Sequence, residues 1–167
     1  MACCDELPFG FAAKLTIGSD YSTLKTRKVN RQSICYNRFM NKQYLYTNTA
    51  HYTQQSNKAV IVLPEIFGIT DFIKNVTDRF ADEFSLPAFA LDHFYSATGK
   101  VEVFDYYGDY SRNMEIMNNM KGEDFYKLFQ QALGEIQAEH PAITEFVVVG
   151  FCFGGRLAYL AGMDERV

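Results

Sequence analysis

Tryptophan is absent from this 167-residue sequence, and cysteine and proline occur only four times each. The cysteines are Cys3, Cys4, Cys35 and Cys152. Two of them are adjacent, which is poor geometry for a bond between them, and nothing in their spacing suggests a disulfide framework. A reducing compartment is the default for such a chain. Positive charge is not in excess either. Sixteen Lys and Arg face twenty Asp and Glu, for a net charge of −4. A nucleic-acid partner needs a basic face to meet phosphates, so none is expected. The longest apolar runs, such as Ala59 to Leu63 and Phe146 to Val149, are far too short to span a bilayer. Asp5 and Glu6 interrupt the N-terminus where a secretory signal needs an apolar core. Ala2 stands where N-myristoylation requires glycine. From these missing signals we expect a cytoplasmic protein without a membrane partner.

What remains is ordinary globular composition, 48% hydrophobic and 22% charged, enough for one domain with a core. Residues 1–42 read as a poorly defined N-terminal extension. Tyrosines among Asn, Gln, Thr and Lys continue to residue 57, and Gln43 to Thr47 alternates as an edge strand does. From residue 58 the pattern sharpens. Ala59 to Leu63 is a continuous, largely β-branched run, as in a parallel strand buried on both faces. An amphipathic helix follows, N-capped by Thr70, with Ile69, Phe72, Ile73, Val76, Phe80 and Phe84 on its apolar side. Pro87 to Leu91 is a second strand. Residues 95–121 read as an irregular excursion. A helix over 123–138 presents Phe125, Leu128, Phe129, Leu133 and Ile136, and His140-Pro141 closes it. Phe146 to Val149 is a third buried strand, followed by a tight turn and a helix over Arg156–Ala161 ended by Gly162. Alternating strands and helices predict an α/β fold with a mostly parallel sheet, its ligands at the carboxyl ends of the strands.

Gly150-Phe151-Cys152-Phe153-Gly154-Gly155 is a cysteine version of the G-x-S-x-G nucleophile elbow. A nucleophile on a strained strand-to-helix turn needs small neighbours two residues away, and Gly150 and Gly154 meet that need. Cys152 would project above the N-terminus of the next helix, whose dipole favours the thiolate. The Phe153 N–H would face a developing oxyanion. The bland alternative is a buried structural cysteine in a glycine turn. Pro64-Glu65-Ile66-Phe67-Gly68 follows the first buried strand, so a parallel sheet sets Glu65 on the same edge as Cys152. Together they would form a proton-sharing pair. On local sequence alone, the reading of Glu65 as a helix-flanking surface residue is the favoured one.

These two segments resemble the dienelactone hydrolase family of α/β-hydrolases. Val60 to Gly68 resembles its first-strand signature, and Gly150 to Gly155 its nucleophile elbow, at a similar separation. The helix carrying Asn75 to Ala81 also fits. The resemblance covers residues 43–167 and implies a partial domain, truncated after the elbow helix. It implies Cys152 as nucleophile, Glu65 as the partner of its proton, and the N–H groups of Ile66 and Phe153 as the oxyanion hole. It also implies a small-molecule ester or lactone substrate, an acyl-enzyme, and no metal or organic cofactor. Family members recognise a substrate carboxylate with Arg and Tyr, which points to Arg112 and Tyr110 in the excursion.

The sequence departs from the family after Cys152. The family completes its triad with an Asp and a His on later strands, and no histidine stands between Phe153 and Val167. Of the three present, His140 precedes the strand that ends at Cys152, on the order of 20 Å away along it. His51 lies in the weakly patterned region. His93 follows the second strand, on the correct edge, with Asp92 before it as a structural residue. We therefore expect a fragment or a truncated gene product, with poor activity and an unpaired sheet edge that leaves room for self-association. Two other readings compete. One is a class I glutamine amidotransferase-like cysteine enzyme, which lacks the Pro-Glu-Ile-Phe-Gly signature. The other is a catalytically incomplete homologue with a redox-responsive Cys152.

Overall fold

The computed structural model describes residues 43–167. The reading of residues 1–42 as an extension, and Cys3, Cys4 and Cys35 with it, lie outside them. Four strands form one sheet: β1 (Leu45–Asn48), β2 (Lys58–Leu63), β3 (Ala88–Leu91) and β4 (Glu145–Gly150). Their order is β1-β3-β2-β4. β2 pairs in parallel with both β3 and β4, and β1 runs antiparallel along β3. The sheet is thus mostly parallel, with the polar, alternating segment as its antiparallel edge.

The continuous apolar runs become the central strands because both faces are covered. Ala59 to Leu63 and Ala88 to Leu91 are buried throughout. One face carries α1 (Asp71–Phe84), which packs Ile73 and Ala81 against Val60, Val62, Ala88 and Ala90. Thr70 caps α1 by accepting from the Ile73 N–H, and Ser85 ends it in the left-handed region. Phe72 and Phe84 belong to the expected apolar side but are 40% and 51% exposed. The buried stripe is narrower than the sequence pattern and runs through Ile73, Thr77 and Ala81. The other face carries α4 (Gly122–Glu139), with Phe125, Leu128, Phe129, Leu133 and Ile136 all in the core.

Two expectations need correction. The 95–121 excursion is not irregular throughout, since it holds α2 (Tyr95–Thr98) and α3 (Ser111–Asn119). Their short length and few apolar positions left no clear period in the sequence. β4 is not buried on both faces, since Val147 is 48% exposed and Val148 and Val149 are half-buried. Among the described residues β4 is an edge strand, so its outer side lacks a neighbour. The last helix, α5 (Phe153–Ala161), starts three residues earlier than its apolar pattern suggested. No helix among the described residues is long and apolar enough to cross a membrane.

Candidate active site

The carboxyl ends of β2, β3 and β4 lie side by side, and each leads into one candidate residue: Glu65, His93 and Cys152. Cys152 sits between β4 and α5 with φ 49° and ψ −114°. Such backbone is costly for a side-chain-bearing residue and persists only where its surroundings over-determine it. Here the surroundings are steric. A Cβ on Gly150 would lie 2.2 Å from the Gly154 carbonyl oxygen, and one on Gly154 would lie 2.2 Å from that of Leu63. The Phe151 N–H donates to the same Leu63 oxygen at 3.0 Å. The turn is therefore pressed onto the end of β2. Gly155 differs from the other two, because a Cβ there would meet its nearest atom at 3.6 Å, an ordinary contact. Cys152 itself is a free, exposed thiol, which disfavours the buried structural alternative.

The Glu65 segment is held from a different quarter. The excursion folds back over it. The Asn113 side-chain amide, itself fully buried, donates to the Ile66 carbonyl at 3.0 Å. The Phe104 N–H donates to the Phe67 carbonyl at 3.0 Å. Gly68 has φ 78°, and a Cβ on it would lie 2.1 Å from the Glu102 carbonyl oxygen. The Tyr106 hydroxyl donates to Glu65 Oε1 and lies 3.1 Å from the Thr70 hydroxyl, while its ring packs on Phe67 with centroids 4.3 Å apart. Burial, then the hydrogen bond to Glu65, push the Tyr106 hydroxyl up to about 12, so it remains a donor. Glu65 thus shares an edge with Cys152, yet its hydrogen bond goes to Tyr106. The Cys152 thiol makes none among the described residues. Nor do the N–H groups of Ile66 and Phe153.

Tyr106 and Asn113 escaped the sequence reading. Their one signal was their place in a tyrosine-rich stretch, where nothing marks which tyrosine turns inward. Of the pair singled out there, the Tyr110 hydroxyl donates to the Tyr106 carbonyl. Arg112 pairs with Glu102 at 2.9 Å, with the guanidinium 63% exposed and the carboxylate 19%.

The histidines occupy three different settings. His51 pairs with Asp82 at 3.0 Å beside α1. His140 caps the end of α4 and packs on Tyr52 and Phe89, at the amino end of β4. His93 reaches the expected edge but is fully buried, between Phe94 (4.4 Å) and Phe153 (5.4 Å). Neither of its ring nitrogens has a partner among the described residues. Burial pulls its imidazole down to about 3, so it stays neutral. Beside it, the buried Asp92 carboxyl accepts from the Phe94 N–H at 3.0 Å and the Glu102 N–H at 3.2 Å. Burial outweighs these donors and raises Asp92 to about 7. Asp92 thereby ties the start of the excursion to its middle.

Comparison with known proteins bears on this edge. The family model for "Dienelactone hydrolase family" matches residues 44–167. A protein from Synechocystis sp. named "Putative carboxymethylenebutenolidase" is 30% identical over 110 residues, which cover 60% of this chain and 41% of that relative. The chain thus spans well under half the length of this curated relative. Since the family match takes in most of the chain, the chain belongs to the dienelactone hydrolase family.

Proposed function

We propose that this member of the dienelactone hydrolase family carries the acyl-accepting half of a small-ester or lactone hydrolase, with Cys152 as nucleophile. The observation that supports this most is the exposed thiol on left-handed backbone at the start of α5, between two glycines that cannot carry a side chain. Attack by the Cys152 thiolate forms a bond from Sγ to the acyl carbon. The carbonyl oxygen takes the negative charge, towards the N–H groups of Phe153 and Ile66, which have no partner among the described residues. Collapse breaks the acyl carbon–oxygen bond, and the alcohol leaves with a proton. Water then cleaves the thioester, giving the acid and restoring the thiol, so one ester and one water become one acid and one alcohol.

Glu65 takes the thiol proton in this reading. Its Oε1 is held by Tyr106, which leaves Oε2 for the sulfur. His93 is a poor candidate for the base that activates water, because its ring is enclosed by Phe94 and Phe153 and prefers the neutral form strongly. Acylation should therefore outrun deacylation in this chain.

The test is to treat the purified chain with p-nitrophenyl acetate and map the acetyl group by peptide mass spectrometry. We expect a long-lived acetyl on the Cys152 peptide, absent from Cys152→Ala and slowed in Glu65→Gln. Acetylation spread over lysines, with Cys152 no more modified than in urea, would reject the proposal.

A further inference from the structure

We propose that the groove between the first turn of α1 and residues 103–106 is a subsite for an uncharged aromatic or branched apolar group of the substrate. The inference rests on the acyl-enzyme reading above and names the substrate class it serves. The groove has a volume of about 330 Å³. An apolar cavity of about 150 Å³ already holds a benzene ring, so one ring with a short chain fits. Its walls include Ile69, Phe72, Val103 and Phe104. Phe72 and Val103 are 40% and 57% exposed, large apolar surface that the fold leaves to solvent there.

The groove joins the candidate active site at two points. The Phe72 ring stands edge-on to that of Phe151, the residue before Cys152, with centroids 6.2 Å apart. Tyr106, which also lines the groove, carries the hydrogen bond to Glu65. A substrate seated here lies along the same sheet edge as the thiol.

Charge decides the chemical class. The groove's own lining carries two carboxylates, Asp71 and Asp105, against Lys74 alone, and residues 65 and 100–112 beside it add Glu65, Glu102 and Asp109 against Lys100 and Arg112. Lys74 and Arg112 are already engaged. Lys74 pairs with Asp71 at 3.0 Å and Arg112 with Glu102 at 2.9 Å. Glu102 is only 19% exposed, so taking Arg112 away would leave a mostly buried carboxylate without its counter-charge. An anionic group entering the groove meets net negative potential, whereas a neutral ring covers Phe72 and Val103 without opposing it.

The experiment compares alkylation of Cys152 in the whole chain by three probes: iodoacetate, iodoacetamide and N-benzyl iodoacetamide. Each rate is read on the Cys152 peptide and divided by that reagent's rate with glutathione. We expect the benzyl reagent to exceed iodoacetamide, which is equally uncharged, by roughly tenfold on this scale, the worth of one well-buried apolar group, and iodoacetate to fall below both. Val103→Asn, at a solvent-exposed position, should return the benzyl-to-iodoacetamide ratio to the glutathione value without adding charge. Equal normalised rates for the benzyl reagent and iodoacetamide, or a preference that survives Val103→Asn, would overturn the subsite. An iodoacetamide rate no greater than in urea would instead count against Cys152 as an activated nucleophile. The benzyl-to-iodoacetamide ratio would still decide the groove.

Discussion

The Cys152 turn and the Glu65 loop end neighbouring parallel strands, yet they are held in place by different physics. The Cys152 turn is shaped by its own glycines. Gly150 and Gly154 let two carbonyls approach to distances that a Cβ would forbid, and those contacts set the backbone of the residue between them. The Glu65 loop contains little that shapes it locally besides Gly68. Its carbonyls are taken by Asn113 and Phe104, and its carboxylate by Tyr106, all from the excursion some forty residues on. A strained turn position can be encoded in six residues, whereas a placed carboxylate needs a partner that only the folded chain supplies.

The largest test of this contrast is steric. Gly154→Ala drives a Cβ to within 2.2 Å of Leu63 O and 2.5 Å of Pro64 O, both backbone atoms. We expect a loss of about 3 kcal/mol of stability in urea unfolding, because neither strand end can yield cheaply. Gly155→Ala, one residue on, has 3.6 Å to its nearest atom. It should be neutral, or stabilising by up to about 1 kcal/mol through helix propensity. Equal losses at the two positions would break the steric account of the elbow.

The loop should respond instead to a residue remote in sequence. Asn113→Ala strips the Ile66 carbonyl of its donor inside the protein. The expected cost is about 2 kcal/mol, from an unpaired buried acceptor. Amide exchange should quicken at Phe104, while protection of Phe151 on the elbow stays as it was. Faster exchange at both would mean that the two regions are one unit after all.

A smaller effect separates the pair at the end of β3. Asp92 is raised from 3.8 to about 7 by burial, so its contribution is full below pH 3.8 and is lost as the pH rises through about 7. His93 is lowered from 6.5 to about 3, so its contribution is full above pH 6.5 and is lost as the pH falls through about 3. Between those limits the two slopes oppose each other, and the native protein should show little net dependence from this pair. His93→Phe should uncover stability that falls with rising pH, and Asp92→Asn stability that falls with falling pH. Each slope approaches about 1.4 kcal/mol per pH unit. Urea midpoints taken across pH 4–7 check this, and slopes of the same sign in both variants would refute it.

The sheet, its parallel core and the large helices were legible in advance. Ala59 to Leu63 has one stable use, as a strand covered on both sides, and the Phe125 to Ile136 stripe buries as its period demands. Cys152 was legible because glycine spacing leaves a mark on the sequence itself. Other features were not. β4 was expected to be buried, but burial depends on what lies beside a strand, and its apolar residues do not say that. The tyrosines of the excursion carry no period that distinguishes Tyr106, bonded to Glu65, from Tyr107, which is 96% exposed.

By itself, then, the sequence determined which segments become strand, turn and helix, and that Cys152 stands at a turn only small neighbours permit. These outcomes follow from short-range sterics and hydrophobic period, which act within a few residues. Only the tertiary structure decided that Glu65 is held by Tyr106, that Arg112 is committed to Glu102, and that His93 on the right edge is sealed behind Phe153. Those outcomes depend on side chains brought together across the chain, where burial and competing partners choose which groups meet.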